Sequence, residues 1–329
     1  MQASYLASSM NMNTKMLALY VKAFTHKPAV SFQKDATQSI ILMPDISYER
    51  QITIEPKHCN AYNALTKWQL PLAALVHPNY MQTLSLPLQL EMMVNKDFPF
   101  SPMGMVQVAN QITVNRLPSQ SEKIHLRTHF GNVYVHKKGW LFEVITTAYS
   151  TSVLSSSIPQ VKATSFYLAR AKHTDTAQTK NLERKQAPDW ITNTRKGAFC
   201  GVITKPLPGD FTQSRSNLNF ASDIGRKYAK ISGDYNPIHL YGVCAKLFGF
   251  KTAIAHGMFS KALLVSDLAN SYRFYQGEFE INTVFKQAIA LPKQTVLSSQ
   301  LTQPNTLNFV LHRKLAGKHP CYLQGKICY

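Results

Sequence analysis

Acidic side chains are scarce in this sequence. Asp and Glu together number 17 against 36 Lys and Arg in 329 residues, a net charge of +19. That deficit biases the chain toward anionic partners, whether nucleic acid, a membrane surface, or acidic substrates and carriers. The catalogue of common site motifs is equally thin. There is no C-x-x-C and no H-E-x-x-H, and His58-Cys59 and His77-Pro78 have no partner at ligand spacing, so no metal site is expected. There is no glycine-rich phosphate loop and no nicotinamide fingerprint, so no cofactor is expected. The five cysteines form an odd set without close pairing, which argues against a disulfide framework and for a reducing compartment. No apolar run reaches the length of a membrane span. Met16 to Phe24 is short and broken by Lys22, without a clear cleavage site, and reads as a short amphipathic helix stopped near Pro28. A cytoplasmic protein is the expectation.

What is present is a globular composition, with 45% hydrophobic and 16% charged residues. The most polar interval, 171–195, has a linker composition. It separates an N-terminal extension (1–40) and a first domain (41–170) from a C-terminal domain (196–329). In the C-terminal domain, helical stretches are predicted over Phe220 to Ile231, Gly242 to Phe248 and Met258 to Tyr272. In the last, Met258, Ala262, Val265, Ala269 and Tyr272 recur at helical spacing, while Leu263, Leu264 and Leu268 widen the apolar face until it nearly closes. Strand-like runs follow at Phe279 to Phe285, Thr295 to Leu301, Leu307 to Leu311 and Cys321 to Cys328, separated by turn residues. A helix apolar all round, followed by an antiparallel meander, needs that sheet to wrap it: an α+β layer arrangement.

The first domain echoes this order. A helix over Leu86 to Met93, with Pro87 in its first turn, precedes strands at Met105 to Val114, Ile124 to Phe130, Trp140 to Ser150 and Thr164 to Leu168. Laying Leu86-Pro87-Leu88 over His256-Gly257-Met258 suggests a tandem duplication. In that alignment Asp234, His239 and Gly257 fall on Ala64, Gln69 and Pro87.

The chemistry concentrates in I-S-G-D-Y-N-P-I-H, from Ile231 to His239, and A-I-A-H-G-M, from Ala253 to Met258. Gly233 suits the point where a chain leaves a helix, and Asn236-Pro237 marks a turn. Asp234 and His239 therefore flank one tight loop, a carboxylate beside an imidazole, the common means of moving a proton near neutral pH. His256-Gly257 opens the buried helix, whose unpaired first N–H groups can receive an oxygen gaining negative charge. Asp five residues before His is a frequent spacing that carries nothing alone. The two motifs in this order are far rarer.

With those residues in hand, the stretch from about Phe220 to Leu264 resembles the MaoC-like dehydratases, which include (R)-specific enoyl-CoA hydratases and 3-hydroxyacyl-thioester dehydratases. The resemblance implies a hot-dog fold, a long central helix wrapped by a curved antiparallel sheet, and for this length a tandem (double) hot-dog whose first copy is degenerate. It implies Asp234 and His239 as the catalytic pair and the Gly257 N–H as the oxyanion donor. Asn236, His256, Met258 and Ser232 then lie at the substrate. It further implies reversible hydration of trans-2-enoyl thioesters carried on coenzyme A or acyl carrier protein, by a monomer or homodimer. Leu240-Tyr241 follow N-P-I-H where many members carry an acidic residue, which bears on substrate preference. A thioesterase-like or binding-only hot-dog protein is the alternative reading. Nucleic-acid binding has only the net charge behind it and is not expected. Met92, Met93, Phe98 and Phe100 are candidates for an acyl tunnel, with ordinary core the simpler reading of each.

Overall fold

The computed structural model describes residues 12–28, 43–69, 74–136, 138–152, 158–170, 187–192, 213–313 and 321–329. Within them the elements run α1 (Met12–Thr25), β1 (Ser47–Thr53), α2 (Pro56–Thr66), α3 (Tyr80–Met93), β2 (Val106–Val114), β3 (Lys123–His136), β4 (Gly139–Ser150) and β5 (Val161–Arg170). After the short α4 (Asp189–Thr192) come β6 (Gln213–Phe220), α5 (Ile224–Ser232), α6 (Pro237–Leu240), α7 (Gly242–Leu247), α8 (Gly257–Tyr272), β7 (Phe279–Phe285), β8 (Lys293–Gln303), β9 (Thr306–Arg313) and β10 (Cys321–Cys328).

All ten strands belong to one sheet, in the order β1-β3-β4-β5-β2-β7-β10-β9-β8-β6. Read from either edge, the order is the same up to the middle. That palindrome is the signature of two copies of one unit joined edge to edge. The joint is the antiparallel pairing of β2 with β7, from Ala109 opposite Val284 to Val114 opposite Phe279. The tandem hot-dog expected from the resemblance is the architecture found.

Each copy surrounds its own helix. In α8 every residue from Met258 to Ser266 is buried, and so are Leu268 and Ala269. A helix buried nearly all round can exist in water only inside a wrap of this kind. Thr295, Leu297, Ser299, Leu307, Phe309 and Leu311 are among the buried residues of β8 and β9 in the second copy. The two helices also hold each other: the buried His77, just ahead of α3, places its Nε2 3.1 Å from the Ala262 carbonyl of α8, as donor. Lys261 of α8, wholly buried, donates to the Asn110 side chain on β2.

Several elements differ from the sequence reading. Phe220 ends a strand; the helix begins only at Ile224, because the residues from Gln213 pair with β8 out to the sheet edge. The helix of the first copy starts at Tyr80, so Pro87 lies inside it. A proline there removes the N–H that would reach the Thr83 carbonyl one turn back, a defect tolerated because tertiary packing fixes the helix. Strands β1 and β6 and helix α2 gave no clear period in sequence; β1 is a half-exposed edge strand with no regular apolar alternation. Within the expected linker, Asp189–Thr192 is helical, with Ile191 buried and Trp190 against Phe166. Residues 171–186 and 193–195, the rest of that interval, lie outside the described residues. Met93, Phe98 and Phe100 pack with Phe142 and Val144 in a closed aromatic cluster, which is core.

Because α8 is the axis of the second copy, Leu264→Ala, at a fully buried position, is expected to cost about 2–5 kcal/mol of stability. Urea unfolding should show a lower midpoint with an unchanged slope.

Candidate active site

The loop that follows α5 is built residue by residue from its sequence. Gly233 leaves the helix at φ 75°, a left-handed conformation that glycine adopts without steric cost. The Ser232 hydroxyl, which is buried, accepts the Asp234 N–H at 3.1 Å. Asp234 Oδ1 accepts the Asn236 N–H at 3.2 Å. Asn236 caps α6, its side chain accepting from Ile238 N–H, and Pro237 fills the first helical position, where no N–H is needed. α6 in turn carries His239, whose Nδ1 donates to the Ile254 carbonyl at 2.9 Å. That bond fixes the tautomer and leaves Nε2 as an acceptor.

α6 can lie this close only because α5 offers Gly225. A side chain there would run into the His239 carbonyl oxygen.

His256 precedes α8. Its Nε2 lies 3.0 Å from the Asp234 backbone carbonyl, so that nitrogen carries the proton and donates it. Its ring stacks on His239 with centroids 3.8 Å apart, and its Nδ1 has no partner among the described residues. Gly257 is the first residue of α8, so its N–H has no acceptor within the helix. A Cβ at Gly257 would press on the Phe285 ring. Met258 is nearly buried, its carbonyl facing the Asn79 amide at 3.5 Å.

Asp234, His239 and His256 can bring one ligand-capable atom each within 4.8 Å of the others. That spacing is one a metal ion could use. His256 Nε2, 3.9 Å from Oδ2, spends its proton on a carbonyl, so the lone pair of that ring is on Nδ1. Asp234 and His239 form no direct ion pair, although one ligand-capable atom of each lies within 4.8 Å of the other.

The electrostatics assign the charges. Burial pushes the Asp234 pKa up, but His256, His239, the Tyr20 hydroxyl and the Asn236 N–H outweigh it and hold the carboxyl below its ordinary range. Burial pushes the His239 pKa below its ordinary value, against the opposing pull of Asp234. Burial, then neighbouring His239, pushes the His256 pKa down to about 3. At neutral pH the site thus holds one carboxylate and two neutral imidazoles.

Asp234, His239 and His256 therefore meet around one point, with Gly257 next to His256 in the chain and Ser232 and Asn236 bonded to the backbone of the loop. Beside it a cavity of about 380 Å³ is lined by His58, Tyr80, Leu84 and Pro87 from the first copy and by Ile231 and Gly233 from the second. The four residues considered for a tunnel do not line it.

Two features escaped the sequence. One is Tyr20 of α1, whose hydroxyl donates to Asp234 Oδ1 at 2.7 Å. No local pattern links positions 214 residues apart. The other is the true register of the duplication. Val76 N–H bonds the Pro118 carbonyl as Ala255 N–H bonds that of Ile289, and the bridges Leu75–Ser119 and Ile254–Ala290 correspond. His77-Pro78 thus stands where His256-Gly257 stands, and the alignment onto Pro87 is corrected by more than two turns of helix. Likewise α2 ends at Lys67, left-handed like Gly233, so Trp68 and not Ala64 takes the place of Asp234. The chain from Trp68 to Leu75 is far shorter than that from Asp234 to Ile254, with no room for counterparts of α6 and α7, so Gln69 is not the equivalent of His239. At these corresponding positions the first copy differs: Trp68 has no carboxylate and Pro78 has no N–H.

The sequence from 206 to 288 matches the family model described as MaoC like domain. The chain is 26% identical over 246 residues to 3-hydroxyacyl-thioester dehydratase X of Mycobacterium tuberculosis, covering 74% of this chain and 75% of that one. The crystal structure of HtdX from the same organism superposes with a TM-score of 0.64 at 21% identity, covering 86% of this chain and 99% of that one. A conserved hypothetical protein of M. tuberculosis described as having a double hotdog fold gives 0.50 at 10% identity, over 87% and 96%. The structural likenesses establish a shared double hot-dog fold.

Gly225→Ala should force α6 off α5. We expect a loss of about 1–3 kcal/mol and a displaced His239 imidazole signal by NMR, while Gly277→Ala, where a methyl meets open space, changes neither.

Proposed function

We propose that this chain, a double hot-dog protein with a MaoC-like domain in its second half, is a hydro-lyase. It reversibly hydrates trans-2-enoyl thioesters to (R)-3-hydroxyacyl thioesters. The observation that carries this is that Asp234 Oδ1 is taken by the Tyr20 hydroxyl and the Asn236 N–H, and His239 Nδ1 by the Ile254 carbonyl, in two residues that lie within ligand distance of each other. Oδ2 and Nε2 are left as the acceptors for a water.

A water held by both gives one hydrogen to the carboxylate and one to the imidazole, so its oxygen lone pairs face outward to the substrate. As that oxygen bonds to C3 of the enoyl group, one O–H bond breaks and its proton passes to the acid/base pair. The C2=C3 π electrons move toward the thioester oxygen. The Gly257 N–H at the head of α8 supports the negative charge gathering there. The proton on the pair then goes to C2 on the same face, and the sum is addition of one water. Dehydration is the reverse path. Acid/base assistance of this kind is worth about 10²–10⁴ in rate. No step calls for a metal or an organic cofactor.

The first copy supplies wall and support. His58 of α2 bridges the Tyr80 hydroxyl and the Ile231 carbonyl, tying the first copy to the end of α5 just before the catalytic loop. We divide the chain into an extension (1–40), a supporting copy (41–170), a linker (171–195) and a catalytic copy (196–329). The basic surface suits the phosphates of coenzyme A or an acidic carrier protein. Among the described residues no helix is long and apolar enough to cross a membrane, and we place the protein in the cytoplasm on the odd number of its cysteines and the lack of any C-x-x-C. One chain holds both hot-dog copies, which makes a monomer sufficient; a homodimer is compatible. A binding-only role is disfavoured because binding alone does not require an acid/base pair; a thioesterase-like role is separated by the product formed from trans-2-enoyl-CoA.

Asp234→Asn and His239→Ala are each expected to lower kcat at least 100-fold with trans-2-enoyl-CoA while circular dichroism stays native. Near-normal turnover in either variant overturns the assignment. A second expectation follows from the charges. Hydration needs neutral His239, whose folded pKa lies below 6.5, so kcat/KM should be flat through pH 7 and fall only on acidification below pH 6.5. An acid limb above that value contradicts the site as described.

A further inference from the structure

The chemistry just described uses Asp234, yet nothing in it accounts for α1. This helix belongs to neither hot-dog copy, and its inner face is aimed at the catalytic loop. Met16, Leu19 and Tyr20 are buried with Leu90 of α3, and Leu86, Val94 and Tyr235 close the cluster. Met16 and Tyr20, one helical turn apart, bracket the step from Gly233 to Asp234. A Cβ on Gly233 would touch the Met16 side chain, and the Tyr20 hydroxyl meets Asp234 Oδ1. Lys15 pairs with Glu91 of α3 at 2.7 Å and His26 reaches the Phe98 carbonyl, so both ends of the helix are pinned to the first copy.

We propose that Tyr20 is a positioning residue for the hydration reaction, holding Asp234 Oδ1 so that only Oδ2 faces the reacting water. The inference rests on the assignment of Asp234 to that reaction. A carboxylate held only by the Asn236 N–H can rotate about its own bond and exchange its oxygens. With the phenol also bound, both acceptor directions of Oδ1 are filled and the plane of the group is set. α1 then serves as a strap that completes the catalytic carboxylate of the second copy from the opposite end of the chain.

The groups facing Asp234 come from five places: Tyr20 on α1, Tyr228 on α5, His239 on α6, His256 before α8, and Tyr167 on β5. Of these the phenol of Tyr20 donates directly to the carboxylate side chain. Burial, and then the neighbouring carboxylate, push the Tyr20 pKa well above its ordinary value, so it stays a donor over the whole working range. Loss of its hydroxyl removes one of the influences that hold the Asp234 pKa down, and that pKa must move up.

The test is Tyr20→Phe, which keeps the ring and the packing of α1 and removes only the hydroxyl. Leu17→Ala, on the exposed outer face of α1, is the control. With trans-2-enoyl-CoA, Tyr20→Phe is expected to lower kcat about 10- to 100-fold, the worth of a hydrogen bond to a charged group, with KM nearly unchanged. The Asp234 carboxyl, followed by ¹³C NMR and assigned with Asp234→Asn, should titrate at higher pH than in the wild type. Unchanged kcat and unchanged Asp234 titration overturn the proposal, as does a loss confined to KM or to thermal stability. Should the wild type fail to hydrate enoyl thioesters, the functional reading falls separately. The Asp234 titration then decides the Tyr20 contact: an upward shift sustains the anchoring of Oδ1, and no shift rejects it.

Discussion

The pairing of β2 with β7 is the interaction on which the rest of the molecule depends. It joins two five-stranded units into one sheet, so each unit covers an edge that would otherwise stand open. Once those strands are paired, the helices of the two copies are fixed relative to one another. α2 is then held against α5 and α8, and α3 against α5. The loop that carries Asp234 hangs from the end of α5, in the seam where the copies meet. A hot-dog unit alone would have left one wall of that seam to solvent.

The seam also explains the unequal fates of the two copies. Both keep a buried histidine before the central helix, His77 in one and His256 in the other, each with its pKa pushed down to about 3 by burial. In the first copy the ring has become a strut, bonded to the Ala262 carbonyl and accepting the Asn79 N–H. In the second the same ring is stacked on His239 and anchors the loop through the Asp234 carbonyl. What separates them is the excursion through α6 and α7, which brings an imidazole over the site, and the exchange of proline for glycine at the helix head. The duplication thus kept the scaffold twice and the set of Asp234, His239 and Gly257 once.

A constraint of orientation runs through the active site. Each group with two equivalent atoms has one of them occupied: His239 Nδ1 by a carbonyl, His256 Nε2 by another, Asp234 Oδ1 by an N–H and a phenol. What is left over defines the site. This is preorganisation by elimination, and it places the cost of ordering in folding rather than in the reaction.

Much of this was legible in the linear chain. The all-round apolar helix Met258 to Tyr272, the meander after it, the S-G-D and N-P-I-H turns and the A-H-G helix head are local patterns, in which a residue's role depends on neighbours within a few positions. Backbone preference and periodicity are enough to read them. Tyr20, the register of the duplication and the edge strands β1 and β6 were not legible, because each is decided by partners far away in sequence. Tyr20 acquires its meaning only when folding brings α1 across more than two hundred positions to Asp234. His77 is recognised as the twin of His256 only through the backbone bonds of Val76 and Ala255, since the intervening lengths differ. The sequence by itself determined which atoms could move a proton; the tertiary structure decided which of those atoms are free to do so, because freedom at a site is set by the hydrogen bonds that distant residues have already taken.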